Sequence, residues 1–239
     1  RGTFIKASTY LQYLDSDYLR YYFGAKLNGS VDDIDLNLED FIQRVNSDLV
    51  GKVVNIASRC SGFIEKTFEN RLSKGCGEET LIEDFICANE NIAKLYEARE
   101  FNKAIRSVMD LADRANQYIN DKKPWVLAKD INKLDEVHSI CSVGINLFRI
   151  LMIYLKPVIP KMSIKTEKFL NCSLEWTELD NLLVDHDLER FEPLITRIDP
   201  KVVKMMMEES KVDDTLDGQT KESENLIALE DFSKIDIRI

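Results

Sequence analysis

Several kinds of residue are scarce in this chain, and each scarcity closes a route to function. There are two histidines, His138 and His186, far apart in sequence and without a serine or cysteine nucleophile pattern around either. They read as surface residues of helix or loop rather than general bases. The five cysteines, Cys60, Cys76, Cys87, Cys141 and Cys172, form no CxxC pair and have no metal-site spacing, so they read as reduced thiols in or near a core. No stretch approaches ~18 consecutive apolar residues, which argues against a membrane span. The opening RGTFIKASTY lacks the apolar run and small-residue cleavage site of a secretory signal, so the expected location is the cytoplasm. No strand-like alternation of any length precedes residue 226. Proline, five in all, is absent from 37–68.

What remains is a helical, globular composition. Among 239 residues, 44% are hydrophobic and 31% charged, enough for a real core in one large domain or one domain with appendages. The sequence begins with Arg rather than Met, and the expectation is a piece of a longer protein. A net charge of −10 at first disfavours a nucleic-acid partner, but residues 208–225, EESKVDDTLDGQTKESEN, hold seven acids against two lysines and so half of that total. The remainder is only mildly acidic, and polyanion binding depends on local field rather than total charge.

Periodicity predicts the helices. YLDSDYLRYYFGAKL, 13–27, starts at an Asp/Ser cap and carries Leu19, Tyr22, Phe23 and Lys26 at helical spacing. After the turn residues Asn28, Gly29 and Ser30, a long helix is expected over roughly Asn37 to Phe68. Its apolar stripe is Leu49, Val53, Ile56, Cys60 and Phe63, at spacings of four, three, four and three. Asp48, Lys52, Asn55, Arg59 and Lys66 fall on the opposite line, so Asn55 and Arg59 project together from the polar face. A second helical segment is expected from Ile82 to Ala98. A third ends at Asn120, with Phe101, Ile105, Val108, Ala112, Ala115 and Ile119 buried and Arg99, Lys103, Arg106 and Arg114 largely off that stripe. LDEVHSICSVGINLFRILMIYL, 134–155, reads as the buried central helix of a bundle, closed by Pro157 and Pro160. The fold class is therefore all-α, a helical bundle preceded by a short connective segment.

Between the third helix and the central one lies NDKKPWVLAK, 120–129. Pro124 suits the first turn of a helix, which puts Trp125 on a turn beside Lys122 and Lys123. Two roles are open for Trp125, a cap on the bundle core or a platform for an unpaired base. The second uses the ring for stacking and adjacent cations for phosphate, worth roughly 1–3 kcal/mol per stacked base. Asn55 would add a donor and an acceptor for a base edge, and Arg59 a planar fork that bonds or stacks. Lys52, Lys122 and Lys123 are the candidate phosphate contacts.

These same residues carry a resemblance. DIDLNLEDFIQRVNSDLVGKVVNIASR (33–59), KPWVLAK (123–129) and INLFRILMIYLKPVIPK (145–161) resemble bacterial-type methionyl-tRNA synthetase in the part C-terminal to its catalytic domain. RGTFIKAS (1–8) resembles the segment after the family's lysine-rich signature loop, whose lysines are missing here, and LDSDYLRYYFGAKL resembles the connective, stem-contact segment of class I synthetases. The implied organisation is a connective segment over 1–30, a helical anticodon-binding domain over 31–207, an acidic linker over 208–225, and over 226–239 the truncated start of an oligonucleotide-binding barrel. PKVVKMMMEES, 200–210, resembles the family's C-terminal helix, with Met205 to Met207 as packing residues or an exposed patch.

The resemblance implies that Trp125, after Pro124, stacks on the wobble cytosine of a CAU anticodon, and that Asn55 and Arg59 contact anticodon bases. It implies tRNA(Met) as partner, with no membrane or DNA partner. It also implies a homodimeric parent enzyme, joined through the truncated C-terminal domain, that attaches methionine using ATP with magnesium and carries zinc in the missing catalytic domain. The chain itself should lack catalysis and cofactors. The rival readings are a helical interaction module that never touches RNA, favoured by the acidic composition, and the anticodon domain of another class I synthetase, disfavoured by KPW and NIASR together.

Overall fold

The computed structural model describes residues 5–30 and 34–220, with side chains in the last helix as far as Lys211. Two compact units emerge, one drawn from Arg1–Leu14 and Pro200–Ile239, the other Asp15–Asp199. The division falls at Leu14, inside the stretch 1–30 read as connective. The segment 226–239 lies outside the described residues.

The smaller unit pairs α1 (Ala7–Tyr13) with α11 (Pro200–Thr220). The Tyr13 hydroxyl donates to the Glu209 carboxylate across this pair. Met206 is fully buried while Met205 is exposed, so the methionine run divides between packing and surface. The helix continues into the acidic stretch beyond 208, where the sequence suggested a linker.

The larger unit is a bundle. In chain order it contains α2 (Ser16–Gly24), α3 (Leu38–Arg44), a π-helical segment Val45–Val54, α4 (Asn55–Thr67), α5 (Glu79–Cys87), α6 (Asn89–Glu97), α7 (Phe101–Lys122), α8 (Pro124–Leu127), α9 (Leu134–Leu155) and α10 (Pro160–Leu170). Among the described residues there is no named strand, only an isolated antiparallel bridge between Arg71 and Asp187. The all-α reading therefore holds.

Local chemistry explains the helix starts. Asp15 caps α2 by accepting the Asp17 N–H at 3.0 Å, and Asn37 caps α3 by accepting the Asp40 N–H at 3.0 Å. From Asn37 the chain runs without a break to Thr67, as expected, but its middle ten residues are π-helical. Val45, Leu49 and Val53, four apart, share the buried face, which Ile56, Ala57, Cys60 and Ile64 continue in α4. Asn46 anchors this segment through both amide atoms, accepting from the Ile198 N–H at 2.7 Å and donating to the Ile198 carbonyl at 3.0 Å. The segment expected as one helix over Ile82 to Ala98 is instead two, α5 and α6, meeting at Ala88. Its apolar spacing could not reveal that break, because the α-helical torsions persist at Ala88.

Helix α9 is the axis. Every residue from Ile140 to Leu155 is buried, and α4, α5, α7, α8 and α10 all pack on it. Residues Ile131–Leu155 are long and apolar enough to cross a membrane by composition, but 89% of the most apolar window is covered by the protein itself. Such coverage belongs to the centre of a bundle, where each fully buried Leu, Ile or Phe contributes about 1.5–3 kcal/mol. Asn146 and Tyr154 on α9 are matched fully, whereas of the Arg149 guanidinium only Nη2 is, with Nε and Nη1 buried without a hydrogen-bond partner among the described residues. The Asn146 amide both donates to the Leu183 carbonyl at 3.0 Å and accepts its N–H at 2.8 Å, Arg149 Nη2 reaches the Glu178 carbonyl at 2.8 Å, and the Tyr154 hydroxyl donates to the Phe85 carbonyl at 2.7 Å. Left unpaired, such groups would each cost about 1–3 kcal/mol.

The tightest approach is between α9 and α4. A methyl group added at Gly144 would lie 2.5 Å from Cys60 Sγ, inside van der Waals contact. Gly144→Ala is expected to destabilise the bundle by about 1–3 kcal/mol in urea unfolding. Adding Cys60→Ala should recover part of that loss, whereas an additive double variant would show that the clash is not at Cys60.

Candidate nucleic-acid interface

The continuous helix formed by the π-helical segment and α4 lies beside α7 on α9, and their shared polar edge carries the predicted residues. Lys52 Nζ meets Asp113 Oδ2 at 2.7 Å, Asn55 Nδ2 donates to Asn116 Oδ1 at 3.0 Å, and Arg59 Nη2 donates to Asn120 Oδ1 at 2.7 Å. Each pair is separated by 61 residues, so the two helices run in the same direction and in register through three rungs. This geometry follows from the sequence periods: positions three and four apart share a helix face, and 52, 55, 59 match 113, 116, 120 step for step.

Trp125 completes the edge. Helix α7 ends at Lys122, Lys123 adopts a left-handed backbone (φ 47°, ψ 58°), and Pro124 opens the single turn α8 as expected. Pro124 is buried, whereas Trp125 is 40% exposed. The Arg59 guanidinium carbon sits 4.6 Å from the centre of the indole. Trp125 is thus neither a core cap nor a free ring, because a cation held by Asn120 covers part of it and the rest meets solvent. The four residues Asn55, Arg59, Pro124 and Trp125, divided between α4 and α8, come together.

The candidate phosphate contacts do not share one situation. Lys52 is ion-paired with Asp113, and Lys122 with Glu78 at 2.5 Å while lying 5.6 Å from the Tyr118 ring centre. Lys123 is exposed and makes no ion pair among the described residues. Arg114 is also engaged, with Asp84 at 2.5 Å. What the sequence analysis missed was the polar side of α7. Asp113, Asn116 and Asn120 carry the signal in their spacing, but attention to basic residues alone passed over them.

The two histidines bond backbone carbonyls, and four of the five cysteines lie in or near the core as expected, with Cys87 the exception. His138 stacks on Phe68 at 3.9 Å and places Nε2 2.7 Å from the Arg71 carbonyl, while His186 Nε2 lies 2.7 Å from the Leu170 carbonyl. Cys60 and Cys141 are buried, Cys76 and Cys172 are half-buried, and Cys87 is exposed. A hydrogen bond with Cys141, then burial, pushes the Cys60 thiol well up, and burial pushes Cys76 up to about 11, so neither offers a thiolate at neutral pH. Among the described residues no group of three or more His, Cys, Asp or Glu is placed to hold a metal ion, and no role here is routed through one.

A helical bundle with an edge of this kind fits an anticodon-binding domain of a class I tRNA synthetase, and the family matches define that class. The model of the family "tRNA synthetases class I (M)" matches residues 1–61, which include Asn55 and Arg59, and that of "Anticodon binding domain of methionyl tRNA ligase" matches residues 71–213, which include Trp125. The chain belongs to the family of methionyl-tRNA ligase anticodon-binding domains. Similar solved structures are those of the Mycobacterium tuberculosis methionyl-tRNA synthetase. The apo form has TM-score 0.72 at 20% identity, over 82% of this chain and 41% of that one. The structure in complex with methionyl-adenylate has TM-score 0.68 at 20% identity, over 76% and 37%. A further structure bound by the same adenylate has TM-score 0.70 at 20% identity, over 77% and 38%. At this identity the likeness concerns the fold, and the chain spans about two-fifths of the length of these proteins.

The edge can be altered without dismantling the bundle. Arg59→Ala removes one partly exposed cation–π contact and one side-chain hydrogen bond, and is expected to cost about 1 kcal/mol in urea unfolding. A loss several times larger would show that Arg59 holds the fold rather than a recognition surface.

Proposed function

We propose that this chain reads the CAU anticodon of tRNA(Met) as the anticodon-binding part of a cytoplasmic methionine–tRNA ligase. The observation that carries this reading is the convergence of Trp125, Arg59 and Asn55 on one solvent-facing edge, with a cation 4.6 Å from the indole centre. The exposed part of the ring supplies a stacking surface for an unpaired base. Arg59 keeps a planar cation beside the stacked base and within reach of its edge or of a phosphate. Asn55 adds an amide whose oxygen makes no hydrogen bond among the described residues. Lys123 is free to meet the backbone, whereas Lys52 and Lys122 would have to leave a carboxylate first.

The remaining parts of the reading belong to the larger enzyme. It attaches methionine to the tRNA 3′ end using ATP with magnesium and carries zinc in its catalytic part. Its proposed dimerisation and general tRNA binding rest on the sequence resemblance of 226–239 alone.

Binding to a fluorescent RNA stem-loop with CAU in its loop tests the proposal, at fixed moderate salt. Trp125→Ala should weaken that binding by about 1–3 kcal/mol with little change in the melting curve. Unchanged affinity with lowered stability would return Trp125 to the core and remove the base platform.

A further inference from the structure

The hydrogen bonds along the α4–α7 edge form a sequence of forced choices. Asn116 Nδ2 lies 2.9 Å from the Ala112 carbonyl and 3.0 Å from the Lys52 carbonyl. Backbone carbonyls only accept, so this end of the Asn116 amide must be its nitrogen. Its oxygen therefore faces Asn55, and the Asn55 atom 3.0 Å away must in turn be a donor, Nδ2. The Asn55 oxygen is left turned from Asn116 and without a hydrogen bond among the described residues.

We infer that Asn116 fixes the polarity of the Asn55 amide and so makes Asn55 a reader that distinguishes cytosine from uracil. This rests on the anticodon-binding reading above. A free asparagine amide is nearly symmetric in shape and can turn over, exchanging donor and acceptor, so it serves either pyrimidine. Cytosine presents an amino donor beside a ring-nitrogen acceptor. Uracil presents a carbonyl acceptor beside a ring N–H donor, the reverse order. An amide held with its oxygen outward accepts from the cytosine amino group, and the reversed pattern of uracil meets oxygen with oxygen. Asn116 acts through Asn55 and is a positioning residue, with no base contact of its own.

The experiment compares the affinity of the whole chain for two fluorescent stem-loops, CAU and UAU, in wild type, Asn116→Ala and Asn116→Asp. Asn116 is half-exposed, so truncation leaves the core in place. Melting curves check folding, and Asn116→Leu, which also lacks an acceptor, replaces the alanine variant if that one unfolds. In Asn116→Ala the preference for CAU over UAU should fall by about tenfold, the scale of one hydrogen bond gained by cytosine and lost by uracil. Asn116→Asp still offers Asn55 an acceptor oxygen but turns its second oxygen toward the Lys52 and Ala112 carbonyls, so it should weaken both loops while keeping part of the CAU preference that Asn116→Ala loses. A ratio unchanged in Asn116→Ala, or lost equally in both variants, overturns the inference and leaves anticodon binding standing. Failure of the wild-type chain to bind either loop overturns the anticodon reading itself.

Discussion

The closeness of α4 to α9 at Gly144 is the constraint on which the rest of the bundle depends. With no side chain at that position, Cys60 can enter the space and α4 can lie against the buried axis. Helix α7 packs on the same axis, and the two outer helices thereby become neighbours. Their buried faces are set by the core, so their polar edges have no freedom to slide. The three rungs at 52, 55 and 59 against 113, 116 and 120 are the consequence, and they translate core packing into the placement of the recognition groups.

The edge is organised by asparagine as much as by arginine. Asn120 turns the Arg59 guanidinium toward Trp125, and Asn116 ties Asn55 to two backbone carbonyls of the bundle. Such supports hold a recognition group in place before a ligand arrives and lower the entropic cost of binding. The short turn α8 adds the aromatic member through a backbone device, a left-handed lysine followed by a buried proline, which aims the ring beside the cation. The net acidity of the chain leaves room for the proposed RNA surface, because much of the negative charge is concentrated after residue 207.

The helices that bury one face were legible because their apolar residues recur at three and four. Asn37 to Thr67, Phe101 to Lys122 and Leu134 to Leu155 emerge nearly as their patterns require. The π-helical turns of Val45–Val54 were not legible, since the same apolar residues suit either winding and the choice depends on tertiary anchors such as Asn46 with Ile198. Nor was the break at Ala88, where neither proline nor glycine marks it. Asn55 and Arg59 could be placed on one face, and Pro124 with Trp125 on one turn, but their meeting depended on the parallel alignment of helices distant in sequence. The fates of Lys52 and Lys122 were hidden for the same reason, because Asp113 and Glu78 are brought to them only by the fold.

The central claim is that the edge of Asn55, Arg59 and Trp125 meets the anticodon bases. Side-chain NMR signals of the Asn55 amide, the Arg59 guanidinium and the Trp125 indole, followed during titration with CAU stem-loop RNA, test it most directly. The account predicts that all three shift on binding and that a loop altered at the wobble base moves them less. Saturable binding that leaves these three signals in place would contradict it.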